Sequence, residues 1–187
     1  MTSFLSISDF DPANLSLGPA ISGPSKIYRL HYNTKPIIFQ TPWIRSNGIN
    51  KQNTAETEDI NGPTHSVTLY FLGYEFKKFL EGIDEWAINT AYENSWLGAN
   101  ETRESVASKY TSAISDSMKL NLFYSKANGY STAFFTKDAK QLAPAQVNSY
   151  FTMNSTVSGI IRCTGIWVMG DTFGVNWKPE QMVIVGN

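Results

Sequence analysis

The sequence holds a single cysteine, Cys163, only two histidines, and no excess of either charge: fifteen Lys and Arg stand against sixteen Asp and Glu, a formal net charge of −1. One thiol cannot build a disulfide framework within the chain, which fits a reducing compartment. Cys163 lies in an apolar run with no activating base near it in sequence, so it is expected to be a buried structural thiol. The histidines, His31 and His65, have no metal-spaced partner, and no His-x-x-x-His or Cys-x-x-Cys occurs. Also absent are G-x-x-x-x-G-K-[ST], G-x-G-x-x-G and G-x-S-x-G, which removes phosphate-loop, dinucleotide and nucleophile-elbow readings. The carboxylate pairs Asp84-Glu85 and Glu56/Glu58/Asp59 read as a solvated helix face and a loop. No window approaches the roughly 20 apolar residues of a membrane-spanning helix. The first residues, MTSFLSISDFDPANLS, lack the basic region and apolar core of a secretory signal. The expectation is an intracellular protein, not secreted and not an enzyme, with no metal, cofactor or membrane.

What the chain does have is apolar and aromatic material. Its 187 residues are 42% hydrophobic, 13% aromatic and 17% charged, enough to bury a core and too apolar for wholesale disorder. The near-neutral charge does not announce a polyanion partner, but a local basic groove can coexist with acidic surface elsewhere.

Residues 1–25, rich in Ser, Pro and Gly, read as an irregular lead-in to one domain over 26–187. KIYRLHY (26–32) and IIFQT (37–41) alternate across Asn33-Thr34-Lys35-Pro36, which predicts a hairpin. Residues 45–64 are polar and glycine-bearing, a long exposed loop. HSVTLYFLG (65–73) reads as a strand. The period then becomes helical: Phe76, Phe79, Leu80, Ile83, Trp86, Ala87 and Thr90 predict a helix over about 75–92, with Gly82 a weak point. A second helix is expected over Glu101–Ser115, which makes a helical insertion of about 75–115. KLNLFYS (119–125) and GYSTAFFT (129–136) flank Asn128-Gly129 as a second hairpin. A polar connection with one helical turn leads to the closing hairpin, Val157 to Val185, around Gly170-Asp171-Thr172. Strands at both ends of a helical middle predict an α+β, mainly β fold: a Greek-key β-barrel rather than βαβ winding.

Aromatic side chains alternate with cations along these strands: Trp43 with Arg45, Tyr124 with Lys126, Phe134 and Phe135 with Lys137, Trp167 with Arg162, Trp177 with Lys178. Single-stranded nucleic acid is bound by such a set, rings stacking on bases while cations meet phosphates. Strand aromatics are more often core, however. Along 160–169 the face of Ile161, Cys163, Gly165, Trp167 and Met169 is the more apolar, which turns Trp167 inward and leaves Trp177-Lys178 as the outward pair.

Two segments carry a resemblance: KPIIFQTPWI (35–44) and GIWVMGDTFGVNWKPEQMVI (165–184). In combination and order they resemble a family of single-stranded-DNA-binding proteins of large eukaryotic double-stranded DNA viruses, which includes the OB-fold protein of African swine fever virus. Arg45-Ser46-Asn47-Gly48 departs from the Pro-Phe-Gly step that often follows Gln-Thr-Pro there, and the closing MVIVGN is not an acidic tail of the kind that recruits partners. The resemblance implies an OB-like barrel that binds single-stranded DNA with little sequence preference, in viral replication, repair or recombination. Self-association or replication proteins are its further implied partners. The candidate contacts are Arg29, Gln40, Trp43, Arg45, Lys119, Tyr124, Lys126, Phe134, Arg162, Trp177 and Lys178. Near-neutral charge and aromatic strands also suit a virion-associated structural or protein-interaction protein.

Overall fold

The computed structural model describes residues 4–21, 23, 25–51, 65–70, 72–125 and 128–185, and of Lys51 the backbone only. A short 3₁₀ turn at Pro12–Asn14 precedes β1 (Leu15–Ile21), β2 (Lys26–Tyr32), β3 (Lys35–Pro36), β4 (Ile38–Gln40), β5 (Ile44–Lys51) and β6 (His65–Tyr70). Then come α1 (Tyr74–Glu93), α2 (Arg103–Ser108), β7 (Ser117–Leu122), β8 (Tyr124–Ser125), β9 (Gly129–Tyr130) and β10 (Ala133–Thr136). Last are α3 (Pro144–Tyr150), β11 (Thr156–Met169) and β12 (Thr172–Val185). The chain is mainly β and mostly antiparallel, with few helices, as expected of its α+β pattern. Among the described residues the strand pairings form an open path and no closed ring, so the expected barrel closure does not appear.

Two compact units share these elements. The first comprises Met1–Ile38, Gly73–Ser115 and Cys163–Trp177. Here the lead-in expected to be irregular supplies β1, which pairs antiparallel with β2 from Leu15↔Tyr32 to Ile21↔Ile27. The sequence signal was hidden because Gly18 and Pro19 interrupt it; the register slips between Leu17 and Ala20. The turn at Asn33-Thr34 forms as expected, both residues at positive φ, but the hairpin is only two pairs long (His31↔Pro36, Tyr32↔Lys35). Helix α1 buries Phe76, Phe79, Leu80, Ile83, Ala87 and Thr90 of the face its period predicts, leaves Trp86 half-buried, and buries Ala91 as well. Gly82 is less a weakness than a fit: a Cβ there would stand 3.2 Å from the Phe10 ring. The second helix is far shorter than expected, ending at Ser108.

One expectation for α1 is overturned. Asp84 is buried rather than solvated, because Tyr110 Oη and Ser112 Oγ reach up to donate to its two carboxylate oxygens at 2.6 and 2.5 Å. Desolvation pushes the Asp84 carboxyl above its ordinary range, and the two hydrogen bonds only partly offset it. Glu85 does face outward, paired with Arg103. Cys163 is buried as expected, its thiol pushed up to about 12 by desolvation, so little thiolate exists at neutral pH.

The second unit comprises Phe39–Leu72, Asp116–Arg162 and Lys178–Asn187. Its buried side chains include Phe39, Ile44, Val67, Leu69, Met118, Leu120, Leu122, Phe134, Phe151, Ile161, Met182 and Ile184. Strands β5, β6 and β7 pair in sequence, antiparallel. The polar stretch expected as a loop from 45 therefore begins as strand, and 52–64 lie outside the described residues. The hairpin expected between 119–125 and 129–136 shrinks to two pairs, Tyr124↔Tyr130 and Ser125↔Gly129. Strand β10 instead lies parallel to β12, from Ala133↔Gln181 to Thr136↔Ile184.

The closing hairpin forms with Gly170 at φ +61° in its turn. Its face assignment holds as far as Gly165 and fails beyond it, for Gly165 is at φ +133°, where a Cβ would stand 2.4 Å from the Tyr28 carbonyl oxygen. That kink shifts the alternation. Ile161 and Cys163 are buried before it, Ile166 is buried after it, and Trp167 is left half-buried. Gly174 is equally constrained, since a Cβ would meet Thr111 O at 2.4 Å.

Candidate nucleic-acid interface

The antiparallel ladder of β5, β6 and β7 sorts its side chains by alternation. On β7, Met118, Leu120 and Leu122 are buried, while Lys119 and Asn121 are exposed. On β6, Val67 and Leu69 are buried and Tyr70 is exposed. Register then places partners on a common face: Arg45 opposite Tyr70, Tyr70 opposite Ser117, and Thr68 opposite Lys119. Cross-strand neighbours are about 5 Å apart and diagonal ones about 7–8 Å. Arg45, Tyr70 and Lys119 therefore form one outward group. Trp43 joins it just before β5, since buried Ile44 separates two exposed residues, Trp43 and Arg45.

Trp43 is 54% exposed. Arg45 and Lys119 have no carboxylate within ion-pair distance among the described residues, so both charges are free to meet an anion. A bulge between Ser46 and Ile49, with Gly48 at φ +72°, shapes this edge, and Asn47 Oδ1 accepts from Thr68 N–H at 2.8 Å across it. Rings beside unpaired cations on a sheet face can stack bases and neutralise phosphates.

The Gln-Thr-Pro-Trp run divides its labour. Thr41 is buried: its backbone N–H donates to Gly159 O at 2.8 Å, and its Oγ1 accepts from Gly159 N–H at 2.9 Å. Its carbonyl accepts from Ser158 Oγ at 2.8 Å, while exposed Gln40 makes only a long bond, 3.4 Å, to that hydroxyl. Thr41 is thus a stitch to β11, and Trp43 is the displayed ring. Thr41→Val leaves a buried amide without its acceptor and is expected to lower stability by about 1–3 kcal/mol in urea unfolding, with DNA affinity unchanged.

Of the remaining sequence candidates, several stand elsewhere. Phe134 and Trp177 are 2% and 3% exposed, so neither ring can present a face to a base, which corrects their expected role. Tyr124 is half-buried, with one ring face stacked on His65 at 4.9 Å. Tyr130 completes that cluster, bonded to His65 Nδ1 and donating to Asn148 Oδ1; burial pushes its hydroxyl up to about 12. Arg162 donates to Glu180 across the β11–β12 hairpin, so its charge is already matched. Arg29 is exposed on β2, in the first unit. Lys126 lies outside the described residues. Lys178 is half-buried, with its Nζ 5.9 Å from the Phe123 ring centroid.

Among the exposed rings that escaped the sequence reading, Tyr70 lies on β6 and Phe123 directly follows β7. The alternation of HSVTLY, with Val67 and Leu69 opposed to Ser66, Thr68 and Tyr70, carried the signal for the first. Among the described residues, no group of three His, Cys, Asp or Glu could hold a metal, and no helix is long and apolar enough to cross a membrane.

The chain is similar to the single-stranded DNA-binding protein from bacteriophage Enc34 in complex with ssDNA. That likeness has a TM-score of 0.51 and 15% identity, over 91% of this chain and 96% of that chain. A second structure of the bacteriophage Enc34 single-stranded DNA-binding protein matches at TM-score 0.50 and 13% identity, over 92% of this chain and 90% of that chain. Its C-terminal truncation matches at TM-score 0.50 and 13% identity, over 91% and 95%. No family model and no curated protein matches the chain. At such identities the likeness is one of fold.

Proposed function

We propose that this chain is a non-catalytic protein that binds single-stranded DNA with little sequence preference, through stacking and Lys/Arg–phosphate contacts. The observation that carries the reading is the outward group of Trp43, Arg45, Tyr70 and Lys119, exposed rings beside cations that no carboxylate among the described residues claims. The fold likeness to a phage protein whose structure holds ssDNA supports it. Stacking needs only a π-face, which every base has, and phosphates carry no sequence, so low selectivity follows from the contact types.

The finer parts of the reading belong to the same proposal. They are an OB-like topology with α1 and α2 as its insertion, an intracellular setting, and a role in replication, repair or recombination of viral DNA. A one-domain organisation is part of it too, since neither unit is a continuous segment and both long closing strands run through both.

Fluorescence anisotropy of labelled oligo-dT tests the reading. Saturable binding at micromolar protein or below is expected in low salt. With Arg45, Lys119 and Lys178 each displacing a counterion, log K should fall with log salt at a slope of about −2. No saturable binding at low salt would remove the proposal and leave a protein-interaction role as the alternative.

A further inference from the structure

Phe123 directly follows Leu122, the buried last residue of β7, yet it is 55% exposed. It continues the outward series Ser117, Lys119, Asn121, and its carbonyl accepts from Ser131 N–H at 2.9 Å, which fixes the backbone there. A large ring at that exposure is held open to solvent, with Lys178 Nζ placed over it. Lys178 has no carboxylate partner among the described residues. A cation–π contact at an exposed site is weak, so both partners can be drawn to a better ligand at small cost.

We infer that Phe123 and Lys178 form a second base-and-phosphate subsite at the opposite end of the β5–β6–β7 face from Trp43 and Tyr70. In the free protein the Lys178 ammonium caps the ring. When DNA binds, a base takes the ring face and the ammonium moves to the adjoining phosphate. Tyr70 is level with Ser117, and Phe123 lies six residues further along. At about 3.4 Å per residue the two ends stand roughly 20 Å apart, with Lys119 between them. The bound strand therefore runs along β7 rather than across it, and a short oligonucleotide can fill the Trp43 end without reaching Phe123. This inference rests on the single-stranded-DNA reading above.

The experiment measures anisotropy of labelled oligo-dT of increasing length over a range of salt, using the full chain and its F123A, F123W and K178A variants. F123A should bind long oligonucleotides about tenfold more weakly than the parent, with the salt slope unchanged, and should match the parent on the shortest oligonucleotide that binds. F123W should restore the long-oligonucleotide affinity, which a merely structural role for Phe123 would not predict. K178A should make the slope shallower by about 0.7. If the parent chain binds and F123A binds long oligonucleotides equally well, or F123W fails to rescue, the subsite is wrong and the function stands. If the parent chain binds no oligonucleotide, both fall.

Discussion

Replacing Trp177 with alanine is expected to cost about 3–5 kcal/mol of stability, the usual range for truncating a buried aromatic ring. For a chain of this size that lowers the melting temperature by roughly 6–20 °C. The ring is 3% exposed in β12, whose buried series there is Phe173, Val175, Trp177 and Pro179. Removing it withdraws a large apolar surface from the core and leaves a void that its neighbours can only partly fill. Urea unfolding followed by circular dichroism gives the number. DNA binding by whatever fraction stays folded should be close to that of the parent. A W177A protein with parental stability but no DNA affinity would mean that the ring faces solvent.

Trp43→Ala is expected to do the reverse. The side chain is 54% exposed, and among the described residues it has no ring or hydrogen-bond partner. Its loss should leave stability within about 0.5 kcal/mol of the parent. Oligo-dT affinity should drop between fivefold and a hundredfold, the equivalent of about 1–3 kcal/mol for one stacked base. Combining it with Arg45→Glu, which places a negative charge two residues away, should bring binding to the detection limit at physiological salt. Intrinsic fluorescence gives an independent readout. Trp86, Trp96, Trp167 and Trp177 are all half-buried or buried. Quenching by added DNA should therefore come chiefly from Trp43 and vanish in the W43A variant. Undiminished quenching in that variant would move the stacking site off this face.

The two variants differ because neighbouring sequence motifs look alike and fold differently. Trp43 beside Arg45 and Trp177 beside Lys178 are both a ring followed closely by a cation. Trp43 precedes β5, in a bend that follows Pro42, and its ring is not drawn into the ladder. Trp177 sits in the middle of a fourteen-residue strand, where alternation sends it inward. Helix α1 was legible almost to the residue, because a helical period over twenty residues repeats its own signal. Strand β1 was not legible, because seven residues interrupted by Gly18 and Pro19 carry too little pattern. Asp84 looked solvated for a related reason: its burial depends on Tyr110 and Ser112, whose approach from beyond α2 no local pattern announces.

By itself the sequence determined the classes of chemistry that its motifs do not support, the mainly β composition, the long helix and the closing hairpin. These rest on composition and on short-range periods, which each segment carries without reference to the rest. Tertiary structure alone decided which rings are displayed. Alternation states which residues of a strand share a face, but not which face meets water. A single residue such as Gly165, at φ +133° against the Tyr28 carbonyl, interrupts the alternation, so that Ile166 is buried while Trp167 and Val168 are both half-buried. The parallel pairing of β10 with β12, and the gathering of Trp43, Arg45, Tyr70 and Lys119 on one sheet face, join segments many residues apart. Burial is a property of those long-range contacts, and it was burial that separated the rings able to stack a base from the rings that hold the fold.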